Sequence, residues 1–273
     1  MSSDHKQMVS VSVIIPCYNC ERTIMRAVNS IVQQTCLPKE IILVNDASTD
    51  KTKDVINNLQ QEHGSNWIKV LTLDFNSGPS IARNEGINQA ISEYIAFLDA
   101  DDSWHSQKLE IQYFWMKAHP GVVITGHKMV LHEKEISQSI RTDDLFFKKI
   151  SKLRILHSNP FSTPTVMMKS TVSARFDPDQ YYAEDYLLWL NIFFSFGGVY
   201  RLEKELAYMH KEAYGQGGLS SNLVAMEKGE LATYSKIYKS KDITFLQYLY
   251  FLVFSLAKFA RRVFLIRVVK RLM

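Results

Sequence analysis

Cysteine is scarce in this sequence. Only three of the 273 residues are cysteines, and Cys17, Cys20 and Cys36 lie close together in the chain. This number and spacing exclude a disulfide framework, and no signal-peptide pattern precedes the first apolar run, so we expect a protein that stays in a reducing cytoplasm. Cys17 and Cys20 have the C-x-x-C spacing of redox and zinc sites, but no second cysteine pair or nearby histidine cluster completes a zinc site.

The sequence also lacks low-complexity tracts, internal repeats and an apolar run long enough to span a membrane. Its hydrophobic content of 46% and charged content of 22% are those of a folded protein, which excludes a disordered chain. A chain of 273 residues can bury a sizeable core. We therefore expect one domain of catalytic size with an appendage.

Acidic residues are missing from the C-terminal segment 258–273. This segment contains six basic residues, namely Lys258, Arg261, Arg262, Arg267, Lys270 and Arg271. Of the 32 basic residues, the rest of the chain keeps 26, against 28 acidic residues. The net charge of +4 therefore comes from the C-terminal segment, and the body is slightly acidic.

The first hundred residues alternate between strand and helix patterns. Short β-branched or apolar runs predict strands at 11–16, 40–46, 67–73 and 94–99, and helical spacing predicts helices at 20–34, 48–61 and 78–91. Ser48, Thr49 and Asp50 form a helix N-cap signal, and Pro79 suits the first turn of the third helix. This alternation indicates an α/β fold with a doubly wound, mostly parallel sheet.

Carboxylates follow three of the predicted strands. Asp46, Asp74 and Asp99 each stand at a strand end, where the ligands of such sheets bind, so we expect them to face one crevice. Asp99 is part of the run "FLDADD", which places Asp101 and Asp102 within three residues of it. Like charges this close are unfavourable unless a cation or hydrogen-bond donors lie among them. Asp99 and Asp101 are two apart in an extended segment and point the same way, which favours a shared cation or ligand.

Beyond residue 104 the pattern is less regular. It predicts a helix at 105–118, a strand at 121–132, an apolar helix at 181–198 and a strand at 204–210, with a polar stretch and "STPTVMMKS" between them. Glu184 and Asp185 open the helix at 181–198. Acids in a first turn are often only complements of the helix dipole, and that interpretation stays open here.

Five motifs in order resemble those of the family 2 glycosyltransferases, whose catalytic domain has the GT-A fold. They are "SVIIPCYNCERTI", "VNDASTD", "NSGPSIARNEG", "FLDADD" and "AEDYLLWL", and the resemblance runs from about residue 9 to residue 220. It implies a catalytic domain over 1–220, with a nucleotide-sugar half at 9–104 and an acceptor half at 105–220. Residues 221–273 would form a helical, basic and amphipathic tail.

The resemblance implies a donor site. The implied nucleotide-sugar contacts are Pro16, Tyr18, Glu21, Asp46, Asp74, Arg83, Asp99 and Ala100. Among them Asp46 would accept a hydrogen bond from the base, and Asp99 would contact the ribose or a metal-bound water. Arg83 would lie near the ribose or diphosphate, or form a buried pair with Asp99 or Asp101, and the two interpretations are compatible. Gly78 and Gly86 are expected to serve turns and packing.

The resemblance also implies a metal and an acceptor side. Asp101 would be the main ligand of Mn²⁺ or Mg²⁺ and His210 a further ligand or diphosphate contact, with a structural histidine as the alternative. Asp185 would be the general base, and Glu184 would orient it or contact the acceptor. Trp189 would offer a platform for a sugar ring, or belong to the core. The glycines at 215, 217 and 218 suggest a lid.

The implied activity is that of a metal-dependent, inverting and non-processive glycosyltransferase of the bacterial surface-polysaccharide type. It would move one sugar from a nucleotide-diphosphate sugar, with UDP as the expected nucleotide, to a glycan, expected to be a lipid-linked oligosaccharide of O-antigen, capsule or exopolysaccharide synthesis. The Q-x-x-R-W signature and membrane helices of processive synthases are missing. A non-catalytic nucleotide-sugar-binding protein and a sugar-phosphate nucleotidyltransferase are the alternatives.

The tail at 243–273 has two helical faces. Drawn as a helix, Gln247, Ser255, Lys258 and Arg262 share one face, and Leu249, Leu252, Val253 and Leu256 lie opposite. This pattern favours an interfacial helix on anionic lipid, with the protein peripheral on the cytoplasmic face of the inner membrane. A helix packed on the catalytic body is the alternative. We expect no nucleic-acid partner.

Overall fold

The first half of the chain repeats a strand and helix unit. The computed structural model describes residues 6–131, 139–141, 145–210 and 222–272, with side chains up to residue 265. The first half begins with strand β1. The elements are β1 (Met8–Cys17), α1 (Ile24–Val32), β2 (Leu37–Asn45), α2 (Thr52–His63), β3 (Ile68–Thr72), α3 (Pro79–Gln89) and β4 (Tyr94–Phe97). Each predicted strand and helix of this half is present, with shifted ends.

Two of these shifts have local causes. β1 continues through Pro16 to Cys17, because a proline near the end of a strand costs few ladder hydrogen bonds. α1 begins at Ile24, four residues later than predicted, since residues 20–23 form a turn in which the Cys20 carbonyl accepts the Thr23 and Ile24 amides at 3.0 Å. This turn carries residues of the site described below.

The second half adds short strands and longer helices. Its elements are β5 (Asp102–Trp104), α4 (Lys108–Ala118), β6 (Ile124–Leu131), β7 (Phe147–Lys149), α5 (Lys152–His157), a 3₁₀ turn (Thr163–Thr165), β8 (Met167–Lys169), α6 (Glu184–Phe196), β9 (Val199–Met209), α7 (Leu223–Lys239) and α8 (Phe245–Leu272). β9 starts five residues before the predicted strand at 204–210. Its N-terminal part pairs with β6 and β7. This pairing makes the strand longer than its sequence predicts, because these residues have little apolar periodicity of their own.

Within the described residues, nine strands form one mixed sheet. The order is β3-β2-β1-β4-β8-β6-β9-β5, and β7 pairs with β9. β1, β2, β3 and β4 are parallel, as the alternating pattern predicts, whereas β8 and β5 run antiparallel to their neighbours. The parallel strands are buried on both faces, and Val13, Ile14 and Ile15 are all inaccessible to solvent. The α/β fold is confirmed.

Two apolar clusters pack on the opposite faces of this sheet. One contains α6 and α7 side chains with Phe97 of β4, and the other contains side chains of α1, α2 and α4. α3 lies so close to β1 that a Cβ atom at Gly86 would overlap the Ile14 side chain, which explains the glycine there. Tyr234 and Ile237 of α7 belong to the same cluster as α6, so this part of the tail shares the core of the catalytic body. The expected boundary at 220/221 falls outside the described residues.

α8 is a helix of 28 residues whose inward face is mixed, because the buried side chains of Phe251 and Ser255 both lie on it. Ser255 is fully buried and donates to Glu227 at 2.9 Å, and Lys258 pairs with Glu230 at 2.6 Å. The outward face carries Leu246, Leu249, Tyr250, Val253, Leu256 and Phe264, which are 41–77% exposed. Within the described part of the chain, no helix has the length and apolar character that a membrane span requires.

Candidate functional site

A cavity of about 620 Å³ opens beyond the carboxyl ends of β1, β2 and β4. This is the position at which ligands bind in parallel sheets. Eight residues singled out from the sequence line it, namely Pro16, Tyr18, Glu21, Asp46, Arg83, Asp99, Ala100 and Asp101. These residues come together because the strands are parallel, so the residues that follow each strand lie at the same edge of the sheet.

The rim of the cavity is built by two loops that hydrogen-bond to each other. The Asn19 side chain, at a residue with a positive φ of 47°, accepts the Thr49 amide at 2.9 Å. The Glu21 carboxylate accepts the Lys51 amide at 2.9 Å, so this acid also shapes the loop after β2. Tyr18 is half-exposed on the rim. Asn19 was not predicted, and the positive φ that makes it useful leaves little signal in the sequence.

Asp46 fixes the start of α3. Its side chain is buried, and its two oxygens accept the amides of Ser77 at 2.7 Å and Gly78 at 2.8 Å. Gly78 has a φ of 86°, which a glycine adopts without strain. Each carboxylate oxygen accepts more than one hydrogen bond, so these contacts leave Asp46 able to accept from a base as well.

Arg83 connects two acidic groups across the floor of the cavity. Its guanidinium lies 2.8 Å from Asp99 and 3.1 Å from Glu184 and is almost completely buried. Burial alone would lower the pKa of Arg83, but Asp99 and Glu184 outweigh that effect and raise it. The pairing of Arg83 with Asp99 is therefore present, and Glu184 is a further partner that the sequence did not reveal.

The acidic run after β4 is compensated by nearby donors. Asp99 is paired with Arg83, and the backbone carbonyl of Asp101 accepts a hydrogen bond from Arg26 at 2.7 Å. Asp102 is buried and starts β5, so it lies within the sheet. Asp99 and Asp101 both line the cavity. The two positively charged arginines explain how part of this carboxylate cluster is tolerated in the folded chain.

His210 lies beside the acidic run. It follows Met209, which pairs with Asp102 across the ladder between β5 and β9, and its Nε2 atom is 2.7 Å from the Ser103 hydroxyl. Among the described residues, no three histidine, cysteine, aspartate or glutamate side chains lie close enough together to hold a metal ion. A metal at Asp101 and His210 would therefore need ligands from elsewhere. The expected lid glycines lie outside the described residues.

Asp185 stands in the first turn of α6, after Ala183, which has a positive φ of 55°. Its carboxylate accepts the Tyr186 amide at 2.6 Å and the Asn159 side-chain amide at 3.0 Å. Burial and the adjacent Glu184 raise the pKa of Asp185 to about 7, against the lowering effect of these hydrogen bonds and of Arg83. A carboxyl with this pKa exchanges protons near neutral pH, which suits a general base.

The structure separates two further predicted residues from the site. Asp74 is exposed and does not line the cavity, because β3 is the edge strand and lies outside β1, β2 and β4, whose ends border the cavity. The prediction that Trp189 offers a platform for a sugar ring was wrong. Its side chain is inaccessible to solvent and packs among the rings of Phe97, Phe161 and Phe176, so it is a core residue.

Cys17 and Cys20 also line the cavity, as free and buried thiols. Cys20 accepts a hydrogen bond from the Thr52 hydroxyl at 3.8 Å. A contact with Cys20 and burial together raise the pKa of the Cys17 thiol well above its usual value. These contacts make both cysteines part of the packing beneath the cavity.

Comparison with known proteins identifies relatives over most of the chain. The family model of glycosyl transferase family 2 matches residues 12–174. The UDP-Glc:alpha-D-GlcNAc-diphosphoundecaprenol beta-1,3-glucosyltransferase WfgD of Escherichia coli is 31% identical over 182 residues, which cover 67% of this chain and 69% of the relative.

Two solved structures show the same fold. S. aureus TarS 1–349 in complex with UDP-GlcNAc is similar with a TM-score of 0.66 at 24% identity, over 89% of this chain and 70% of that one. The mannosyltransferase PcManGT from Pyrobaculum calidifontis in complex with GDP-Man and Mn²⁺ has a TM-score of 0.60 at 18% identity, over 84% of this chain and 64% of that one. With the family match over more than half of its residues, the chain belongs to glycosyl transferase family 2.

Proposed function

We propose that this protein is an inverting, non-processive glycosyltransferase that moves one sugar from a UDP-sugar to a hydroxyl of a glycan acceptor. The observation that carries the proposal is the buried connection from Asp99, in the cavity wall, through Arg83 to Glu184, which precedes Asp185. This connection holds a site suited to a nucleotide sugar beside a carboxyl suited to accept a proton.

The proposed reaction follows from the difference between the two acids of α6. Glu184 is committed to its ion pair with Arg83, whereas Asp185 has a pKa of about 7 and is only half-buried. The acceptor hydroxyl gives its proton to the Asp185 carboxylate as its oxygen bonds to the anomeric carbon. The bond from that carbon to the diphosphate breaks, and its electron pair stays on the diphosphate oxygen. Attack from the face opposite the leaving group inverts the anomeric centre.

We propose that Asp101 and His210 hold a Mn²⁺ or Mg²⁺ ion. Carboxylate oxygen is a preferred ligand of both ions, and Mg²⁺ typically takes only one or two carboxylates and completes its shell with phosphate oxygens and water. Two protein ligands are therefore enough for such an ion, although the described residues offer no cluster of three and His210 does not line the cavity. The ion would stabilise the negative charge of the departing diphosphate. The presence of Mn²⁺ in the PcManGT complex supports this assignment.

The donor is proposed to be a UDP-sugar. Pro16 and Tyr18 line one part of the cavity and Asp46 another, which gives the base an apolar wall and an acceptor for its N–H group. The proposed ribose and diphosphate contacts are Arg83, Asp99 and the segment through Ala100. Support for UDP comes from the TarS complex with UDP-GlcNAc and from the name of the WfgD enzyme.

The acceptor is proposed to be a lipid-linked oligosaccharide of bacterial surface-polysaccharide synthesis, used at the cytoplasmic face of the inner membrane. The WfgD enzyme is named for an acceptor linked to diphosphoundecaprenol. The outward face of α8 supports peripheral membrane association, because it is apolar from Leu246 to Phe264 and the segment from residue 258 has no acid. Each basic residue near an anionic surface contributes about 1 kcal/mol.

Hydrolysis of nucleotide sugars tests the reaction without a known acceptor. The full chain is incubated with UDP-Glc, UDP-GlcNAc, UDP-Gal and GDP-Man in Mn²⁺, and release of the nucleotide diphosphate is measured. We expect release from at least one UDP-sugar, loss of activity in excess EDTA, and a decrease of about 10²-fold in Asp101→Asn, since a metal ligand contributes several kcal/mol to the transition state.

Asp179→Asn serves as the matched control, because Asp179 is an exposed aspartate that does not line the cavity. Full activity in EDTA or in Asp101→Asn would contradict the metal assignment. Binding of a UDP-sugar without any hydrolysis, by the wild type with Mn²⁺, would favour a non-catalytic nucleotide-sugar-binding protein.

A further inference from the structure

Asn159 lies against Asp185 with its side chain fixed at both ends. Its Nδ2 atom donates to Asp185 Oδ2 at 3.0 Å, and its Oδ1 atom accepts the Phe161 amide at 3.2 Å. A backbone N–H can only donate, so the oxygen of the Asn159 amide has to face Phe161. The NH₂ group therefore faces Asp185, and the amide cannot flip without losing a hydrogen bond.

The two oxygens of Asp185 have different environments. Oδ1 accepts the amide of Tyr186 within the same helix turn at 2.6 Å, whereas Oδ2 is held from outside the helix by Asn159. Together these hydrogen bonds fix the plane of the carboxylate. Oδ2 can accept a further hydrogen bond, because a carboxylate oxygen has two lone pairs.

The segment that carries Asn159 is anchored on a buried support. It follows α5, whose Ile155 and Leu156 are buried, and the Tyr186 hydroxyl donates to the carbonyls of both at 2.7 and 3.0 Å. The Tyr234 hydroxyl also donates to the Leu156 carbonyl at 2.8 Å. Asn159 follows Leu156 by three residues, so α6 and α7 hold α5 in place and α5 in turn positions the Asn159 amide.

We infer that Asn159 is a positioning residue for the acceptor base, which aims Oδ2 of Asp185 and stabilises its charged form. The inference rests on the proposed function of Asp185 as the base. A hydrogen bond from a neutral amide favours the carboxylate over the carboxylic acid without adding a charge to the acceptor side. Asn159 is itself exposed, so it lies where an acceptor would approach.

The groups around Asp185 predict what the loss of Asn159 would do. Burial and Glu184, its neighbour on α6, raise the pKa of Asp185, while Asn159, the Tyr186 amide and Arg83 of α3 lower it. Arg83 is already paired with Asp99 and Glu184. Removal of the Asn159 amide takes away one of the contacts that lower the pKa of Asp185. We therefore expect this pKa to increase.

Carbon-13 NMR of the full chain, labelled at aspartate carboxyl carbons, measures this directly. The signal of Asp185 is identified as the one missing in Asp185→Asn, and its titration is followed in the wild type and in Asn159→Ala. We expect an upward shift of about half to one pH unit, which is the effect of one hydrogen bond partly replaced by water. The acid limb of the rate of UDP-sugar hydrolysis should shift by the same amount.

Ser151→Ala is the matched control. The Ser151 hydroxyl caps the N-terminus of α5 by accepting the Arg154 amide at 3.2 Å, so this variant loosens the same helix without touching Asp185. It should lower the melting temperature and leave the titration of Asp185 unchanged. Asn159→Asp, which is nearly isosteric, should raise the pKa of Asp185 further because it adds a like charge.

The results separate this inference from the proposed function. An unchanged titration of Asp185 in both Asn159 variants, or an equal shift in Ser151→Ala, would overturn the positioning role. A shift in the Asn159 variants shows that Asn159 stabilises the charged form of Asp185, even if no nucleotide sugar is hydrolysed by the wild type. In that case the glycosyltransferase proposal fails, and the contact between Asn159 and Asp185 stands.

Discussion

Replacement of Asp185 by asparagine should stabilise the fold at alkaline pH while it removes the proposed base. Burial and Glu184 raise the pKa of Asp185 to about 7, whereas an aspartate of an unfolded chain has a pKa of about 3.9. Below about pH 4 the carboxyl is protonated in both states. Between about pH 4 and 7 only the unfolded chain releases the proton, so the free energy of unfolding falls as the pH rises, and above about pH 7 the loss is complete.

The change in the free energy of unfolding follows from the difference between the folded and unfolded pKa values of Asp185 and from two corrections. About three pKa units correspond to about 4 kcal/mol. Asp185 is only half-buried, so solvent screening reduces the effect to roughly 2–4 kcal/mol. The Tyr186 amide and Asn159 donate to different oxygens of Asp185, and an asparagine has an NH₂ group in place of one of them, so one hydrogen bond is lost at a cost of about 1 kcal/mol. The net gain in the free energy of unfolding is then roughly 1–3 kcal/mol at pH 8.5 and close to zero at pH 5.

Thermal unfolding of the wild type and of Asp185→Asn at pH 5 and pH 8.5 measures this gain. A chain of this size changes its melting temperature by about 2 °C per kcal/mol, so we expect an increase of roughly 2–6 °C at pH 8.5 and little difference at pH 5. Asp54→Asn, on the exposed side of α2, is the control and should show no such dependence on pH. The same difference at both pH values, or a less stable variant at pH 8.5, would refute the reasoning.

Two further perturbations test the ion pairs and the tail. Arg83→Met leaves the buried Glu184 and the partly buried Asp99 without their cation and should cost about 3–5 kcal/mol, or roughly 6–10 °C in melting temperature. Lys117→Met, which removes an exposed pair, should leave the melting temperature unchanged. Val253→Glu, on the outward face of α8, should abolish co-sedimentation with vesicles of anionic phospholipid at low salt, and Phe75→Glu, an equally exposed control, should not. Wild-type protein that stays in the supernatant would contradict membrane association.

The cavity beyond β1, β2 and β4 was predictable because a single rule governs its position. Parallel strands deliver the residues at their carboxyl ends to one edge, so a reader of the sequence who locates β2 and β4 also locates Asp46 and Asp99. The same rule failed at Asp74, since it assumes that every strand end borders the same crevice. β3 is the edge strand beside β2, so Asp74 lies to the side of the cavity.

The surroundings of Asp185 were less predictable because their contacts join distant segments. Trp189 stands one helical turn after Asp185, which suggested a shared face, but Asp185 lies partly exposed in the first turn of α6 and Trp189 packs in the aromatic core. Asn159 is separated from Asp185 by 26 residues, and neither residue carries a local pattern that points to the other. Only the packing of α5 against α6 and α7 brings them together.

The orientation of α8 shows how a neighbouring helix decides which face is buried. Periodicity separates a polar face from an apolar one, and the usual rule would turn the apolar face toward the protein. α7 presents Glu227 and Glu230 to α8, and these acids bind Ser255 and Lys258, so polar residues dock on the body together with the apolar Phe251 and Leu252. The alternative of a helix packed on the body is therefore confirmed, and the interfacial helix stays a proposal that rests on the exposed apolar face. Deletion of the whole helix would uncover Glu227 and the core around Phe251, so single substitutions on the outward face are the cleaner test of membrane binding.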